Sequence, residues 1–408
     1  MIQTTCCIVG GGPAGMMLGL LLARAGVDVV VLEKHADFLR DFRGDTIHPS
    51  TLELMHELGV LEQFLKLPHQ EVGALAARFG SAFYRIADFS HLPTRCKFIA
   101  LMPQWDFLDF IGDQARRYPG FQLRMQAEAT DLVMEGDRVV GVRATTPEGP
   151  VELRASVVVG CDGRHSVMRE KAGLAVDEFG VPMDVLWFRL SRRLDDSAQT
   201  GGVFDAGRIF VMLNRGDYWQ CAYVIPKGSM DETRRRGIEV FREEVARTEP
   251  TMRDRVGEIA DWTQVHLLTV SVNRLRQWHR PGLLCIGDAA HAMSPVGGVG
   301  INLAVQDAVA AANILADPLY QKRDVTPLLA KVQERRAFPT RATQRLQLAM
   351  QNTIIQGVLK GGDSFTPPLP LRLLDRFAFL RRIPARLLGL GFRPEHIRTP
   401  ERVSNPSS

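Results

Sequence analysis

Cys6-Cys7-Ile8-Val9-Gly10-Gly11-Gly12-Pro13-Ala14-Gly15 is an apolar run that breaks directly into a Gly-x-Gly-x-x-Gly turn. An apolar helical stretch, Met16 to Ala25, follows, then Gly26 and a second strand-like run, Val27 to Leu32, ending at Glu33 and Lys34. Strand, turn, helix and strand in this order form a β-α-β unit with a dinucleotide fingerprint. Gly10 makes the tight turn, Gly12 lets backbone approach a diphosphate, and Gly15 lets the helix pack close to the strand. The helix start, from Pro13 and Ala14 onward, offers the positive end of the helix dipole and, after the proline, unbonded N–H groups. Glu33 is placed to accept from a ribose hydroxyl. The segment predicts an adenine dinucleotide.

Two later segments say which one. The first is Val157-Val158-Val159-Gly160-Cys161-Asp162-Gly163-Arg164-His165-Ser166, with Arg169 close behind. The second is Leu283-Leu284-Cys285-Ile286-Gly287-Asp288-Ala289-Ala290-His291, continuing to Pro295, Gly297, Gly298, Gly300 and Asn302. Both look like buried strands ending in a Gly/Asp turn, as expected where ligands gather at the carboxyl ends of parallel strands. The three motifs together resemble the FAD-dependent aromatic hydroxylases of the para-hydroxybenzoate hydroxylase type, which are single-component flavoprotein monooxygenases. The resemblance runs from Cys6 to about Asp307. It implies an α/β fold: a Rossmann-like FAD-binding domain, an inserted antiparallel β-sheet substrate domain and C-terminal helices. The expected boundaries are 1–72, 98–178 and 266–320 for the FAD-binding domain, 73–97 and 179–265 for the substrate domain, and 321–408 for the helical region.

The resemblance also implies roles. FAD would be bound tightly but non-covalently, with NAD(P)H a transient co-substrate and O2 the oxidant. Asp288, beside Gly287, would accept from ribityl hydroxyls. Gly298, Gly300, Ile301 and Asn302 would bring backbone to the flavin, where a helix start stabilises negative charge on the reduced ring. Pro295 would lie beside the ring, near the substrate. Arg43, in the loop after the second strand, and Gln104 would contact the cofactor; many relatives carry arginine at the latter position. Asp162 and Gly163 resemble a motif that serves FAD and NAD(P)H, and Arg164 and Arg169 are candidates for cofactor phosphates. The implied reaction passes through a flavin C4a-hydroperoxide that delivers oxygen to a phenolic or quinone-like ring. The protein must then keep water away and favour the ionised phenol. Strand alternation puts Trp187, Arg189, Met212, Gln220 and Tyr223 on inner faces of the substrate sheet. Tyr223 and Pro295 are the catalytic candidates, and no base is assigned. Alternatives on the same fold are a flavin-dependent reductase of isoprenoid double bonds and a flavin halogenase, although Trp219 to Pro226 matches only the tail of the halogenase element.

Composition sets limits. The chain has 408 residues with Lys+Arg 50 against Asp+Glu 46, a net charge of +4, which argues against nucleic acid as a partner. Six scattered cysteines without a Cys-x-x-Cys predict neither disulfides nor a metal site and suit a reducing cytoplasm. No run has the length and composition of a membrane span. A single Gly-x-Gly-x-x-Gly leaves no second nucleotide domain, and hydrolase and kinase motifs are absent. The expected partner is a small aromatic molecule, and the chain a monomer or homodimer.

Periodicity predicts a helix at 50–59 opened by a Ser50/Glu53 capping box. It predicts short strands at 74–79, 83–86 and 98–101, a helix at 105–117 and β-rich sequence at 181–226. Beyond these it gives a helix at 230–249, a strand at 265–272 and helices at 301–316 and 326–358. The basic, amphipathic stretch 370–398 is expected to pack on the FAD domain with its arginines solvated; lying on a membrane surface is the less favoured reading.

Overall fold

A computed structural model describes residues 1–39, 46–196, 200–205, 207–360 and 367–402; Arg43 lies outside them. The strand Ile2–Val9 sits between Gly149–Gly160 and Val29–Leu32 and runs parallel to both. Leu283–Cys285 and Phe121–Arg124 extend this sheet on either side, again in parallel. A hairpin of Glu128–Glu135 and Arg138–Thr146 adds to the long strand Gly149–Gly160. Successive side chains alternate across the sheet. Ile8, Val31 and Val159 therefore pack under the helices Pro13–Arg24 and Gly300–Tyr320. Cys7, Val30 and Val158 pack on the other face against the hairpin. The adjacent cysteines of the first strand thus point to opposite cores, and all six cysteines are free and buried. Burial pushes the Cys7 thiol up to about 12, so it behaves as a small apolar group.

A second sheet of seven strands joins both predicted excursions. Its order is His266–Leu268, Met183–Ser191, Tyr218–Pro226, Arg208–Asn214, Gly201–Asp205, Ala74–Phe79 and Ala82–Asp88. All pairs are antiparallel except the junction between the excursions, where Gly201–Asp205 and Ala74–Phe79 run parallel. The fold is thus a Rossmann-like α/β unit with an inserted, largely antiparallel sheet and C-terminal helices.

Several local expectations are corrected. The helix Pro49–Glu57 is not opened by a Ser50 capping box: His48 is the cap and Pro49 takes the first helical position, where its missing N–H costs nothing. Glu53 instead accepts from the Arg95 backbone N–H at 3.0 Å. The helix expected at 230–249 is two, Met230–Arg235 and Ile238–Thr248, broken at Gly237 with φ +89°. The strand at 265–272 is also two, with His266–Leu268 in the large sheet and Val272–Leu275 paired to Val176–Phe179. The segment Val296–Tyr320 is long and apolar enough to cross a membrane, but 72% of its most apolar window is buried inside the fold.

Candidate functional site

Because the strands Leu283–Cys285, Gly149–Gly160, Ile2–Val9 and Val29–Leu32 are adjacent and parallel, their carboxyl ends share one edge. That edge gathers Gly287, Cys161, Gly10 and Glu33. Gly10 has φ +105°, and a Cβ there would stand 2.4 Å from the Cys161 carbonyl oxygen. A Cβ on Gly15 would stand 2.0 Å from the Gly10 carbonyl oxygen. Gly12 is different: a Cβ there meets nothing within 4 Å. Two of the glycines are demanded by the fold, and the third borders open space. Pro13 has no N–H, and those of Ala14 and Gly15 have no acceptor among the described residues; the helix's own bonding starts with Met16 N–H donating to the Gly12 carbonyl. Open space beside unbonded N–H groups at a helix start fits a diphosphate.

Glu33 is buried and accepts from Gly11 N–H and His35 N–H, both at 3.0 Å. Its carboxylate fastens the glycine turn to the second strand. Lys34 beside it is exposed. Asp162 is bound locally: it accepts from Ser166 Oγ at 2.5 Å and Met168 N–H at 3.1 Å, opening the short helix Val167–Lys171. Burial raises its carboxyl pKa against those bonds. Gly163 follows with φ +84°. Arg169 donates to the carbonyls of Ala289 at 3.2 Å and Arg164 at 2.7 Å, and Arg164 to that of Thr269 at 3.2 Å. The two arginines lace the Asp162 loop to its neighbours, which explains their presence without a phosphate.

Gly287, at φ +60°, touches both nucleotide-side helices: a Cβ there would lie 3.2 Å from Ala14 Cβ and 3.3 Å from Ala304 Cβ. Its N–H donates to Asp307 at 3.1 Å. Asp307 is fully buried and also binds His291 Nε2 at 2.6 Å and Arg336 Nε at 2.9 Å. Burial alone would raise the Asp307 carboxyl, but His291 and Arg336 hold it below its usual value. Asp288, half-buried on the same turn, is thereby held at the sheet edge.

Beyond the turn, Pro295 leads into Val296–Gly298, where Gly297 and Gly298 both have positive φ, and then into the helix Gly300–Tyr320. The N–H groups of Gly300, Ile301 and Asn302 have no acceptor among the described residues. The Asn302 side chain accepts from His48 N–H at 2.9 Å and Thr51 Oγ1 at 2.7 Å, and donates to the carbonyls of Thr46 and Gly298. Thr46 Oγ1 donates to the Gly298 carbonyl at 2.7 Å, and a Cβ on Gly298 would collide with it. Sequence reading missed Thr46, His48 and Asp307. The one local signal was His48-Pro49, a cap and a first-turn proline. Gln104 opens the helix Gln104–Ala115 and is half-buried, and its side chain hydrogen-bonds to no described protein group.

The seven-stranded sheet turns one face to this loop. Val185, Ala222 and Val224, with Trp187 and Val211 at the margin, pack in one cluster with Val296. Arg189 and Gln220 pair across strands on the same face. Tyr223 and Met212 have the opposite parity. The Tyr223 ring packs edge-on to Phe241 at 5.5 Å and its hydroxyl lies 3.5 Å from Glu244, both on the helix Ile238–Thr248. Tyr223 therefore does not line the face that meets Val296, and burial pushes its phenol pKa far up. The expectation that it lines the site is corrected.

A family profile described as the FAD binding domain matches residues 3–346. A 6-methylpretetramide 4-monooxygenase from Streptomyces rimosus is 32% identical over 86% of this chain and 85% of its own. A dialkyldecalin synthase from Streptomyces rugosporus is 27% identical over 89% and 75%. A probable FAD-dependent monooxygenase from Pseudomonas aeruginosa superposes with a TM-score of 0.74 over 88% of this chain and all of that one, at 20% identity, a likeness of fold. The glycine cradle, the two open helix starts and the matched length agree, and the chain belongs to the family of FAD-dependent aromatic hydroxylases.

Proposed function

We propose that the protein hydroxylates a phenolic or quinone-like aromatic small molecule, using NAD(P)H and O2. The observation that carries this reading is the 32% identity to a 6-methylpretetramide 4-monooxygenase across most of both chains. Ala14 and Gly15 N–H hold the FAD diphosphate, with Gly12 leaving room, and Glu33 accepts from the adenosine ribose. Asp288 accepts from the ribityl chain. The N–H groups of Gly300, Ile301 and Asn302 hold negative charge at the flavin edge, with Pro295 beside the ring and Gln104 supplying a neutral hydrogen bond. Bound FAD, reduced by a transiently docked nicotinamide, supplies the activation of O2. The apolar face around Val185, Trp187, Ala222 and Val224 covers the ring and keeps water out. The six buried thiols suit a cytoplasmic enzyme.

The test is turnover of 6-methylpretetramide and a panel of phenols by the FAD-loaded protein under isotope-labelled O2. Stimulated NAD(P)H oxidation with one labelled oxygen in the product is expected. Conversion of substrate without O2 consumption would overturn hydroxylation in favour of the reductase reading.

A further inference from the structure

The C-terminal segment keeps arginines exposed, as expected, but its first helix packs on the large sheet where packing on the FAD domain was expected. The helix Leu369–Arg376 buries Leu371 and sets Leu374 against Ala77 and Phe79 of the large sheet. The helix Arg382–Gly389 buries Ala385 and Gly389. Their inward faces are thus satisfied, yet Leu369, Leu373, Phe377, Phe379 and Ile383 point outward, 38–64% exposed. Leu369 and Leu373 stand one turn apart on the first helix, Phe377 follows as its extended C-terminal cap, and the Phe377 and Phe379 rings lie 6.1 Å apart. A single exposed leucine needs no explanation, but a continuous ridge of two aromatics and three aliphatics does.

Charge identifies the occupant. Between residues 369 and 393 the chain carries Arg372, Arg376, Arg381, Arg382, Arg386 and Arg393 against one acid, Asp375. That acid is already engaged by the Arg85 N–H. Arg381 binds the carbonyls of Leu374 and Asp375, and Arg382 meets His91. Arg372, Arg376 and Arg386 are exposed, and no described carboxylate pairs with them. Apolar ridge and unpaired arginines together match a surface that is apolar inside and anionic outside. We propose that the segment 369–386 docks the protein on an anionic lipid bilayer, with Phe377, Phe379 and Ile383 entering the headgroup boundary. The helix Arg382–Gly389, which carries the end of this segment, also reaches the candidate site, because its Leu388 carbonyl accepts from His48 Nδ1 at 2.6 Å.

Flotation of the FAD-loaded protein with vesicles of phosphatidylcholine alone, or of phosphatidylcholine mixed equally with phosphatidylglycerol, tests this. Binding to the mixed vesicles, weakened by salt, is expected, with little binding to the neutral ones. Arg372→Gln and Arg376→Gln should each weaken it about fivefold, and Phe377→Ser with Phe379→Ser by at least that much. These side chains are solvent-facing, so circular dichroism should be unchanged. Failure to bind mixed vesicles, or a dimer in sedimentation that Phe377→Ser with Phe379→Ser abolishes, would overturn the proposal; the dimer would mean that a second copy covers the ridge.

Discussion

All four hydrogen-bonding positions of the Asn302 carboxamide go to protein groups, at His48, Thr51, Thr46 and Gly298. What the position offers a ligand is its backbone N–H; its side chain fixes the loop that presents it. The glycines divide in the same way. Gly15→Ala would drive a Cβ into the Gly10 carbonyl, so it should lower the melting temperature of the apoprotein as well as abolish FAD binding. Gly12→Ala has room and an ordinary φ of −76°, so the apoprotein should melt near the wild-type temperature while FAD affinity falls, because the methyl would occupy the space proposed for the diphosphate. Calorimetry of the apoproteins with flavin titration separates the two, and unchanged FAD affinity in Gly12→Ala would remove the diphosphate from that turn. Asp288→Ala should cost about 1.5–3 kcal/mol of FAD binding through one charge-assisted hydrogen bond, roughly ten- to a hundredfold in the dissociation constant. An unchanged constant would make Asp288 a turn residue only. The glycine motif was legible because its spacing is local, whereas Thr46, His48 and Thr51 lie 251–256 residues from Asn302, where no spacing rule connects them to it.

At the scale of elements, alternation along Tyr218–Pro226 was legible but its parity was not. A strand buried on both faces has no polar side to mark the outside, and a shift of one residue exchanges the faces. The structure resolves it through the partners: Phe188, Phe210, Tyr223 and Phe241 form one aromatic cluster under the helix Ile238–Thr248, while Val185, Ala222 and Val224 meet Val296. The expected consequence is a split between two variants. Tyr223→Ala leaves a cavity among those rings and should cost about 3–5 kcal/mol of stability, with the product formed per NAD(P)H consumed unchanged. Trp187→Ala opens the other face and should lower that ratio and raise H2O2, since water then reaches the reacting centre. Uncoupling by Tyr223→Ala with intact coupling in Trp187→Ala would reverse the assignment of faces. The break at Gly237 and the cap at His48 escaped periodicity for a related reason: each is set by one residue's backbone conformation, which a pattern of apolar positions averages over.

Across the whole molecule, the chain's last described residues return to its first helix. Arg24 donates to the Thr399 carbonyl at 2.8 Å, the Arg402 N–H to the Arg24 carbonyl at 2.9 Å, and Glu395 takes Arg335 at 2.6 Å beside Arg336 of the Asp307 network. The β-α-β core was legible because each piece has its own period, but this return path was not, since its contacts join residues from 59 to more than 370 apart. Its tightest consequence falls on His48, which is fully buried and donates through Nδ1 to the Leu388 carbonyl. Burial lowers its pKa from the ordinary 6.5 to about 4, against the pull of that carbonyl. Between those values the unfolded chain takes up a proton at His48 that the folded chain refuses, so stability falls as pH drops from 6.5 towards 4. At 1.36 kcal/mol for each unit of pKa, the loss is about 3 kcal/mol. Urea unfolding of wild type and His48→Gln at steps across that window measures it. Glutamine can still donate to the Leu388 carbonyl but carries no titrating proton, so the variant's stability should decline less steeply with acid and the two curves should converge towards low pH. Curves that stay parallel through the window would mean that His48 takes its proton in the folded protein, and that the segment closing over it admits water.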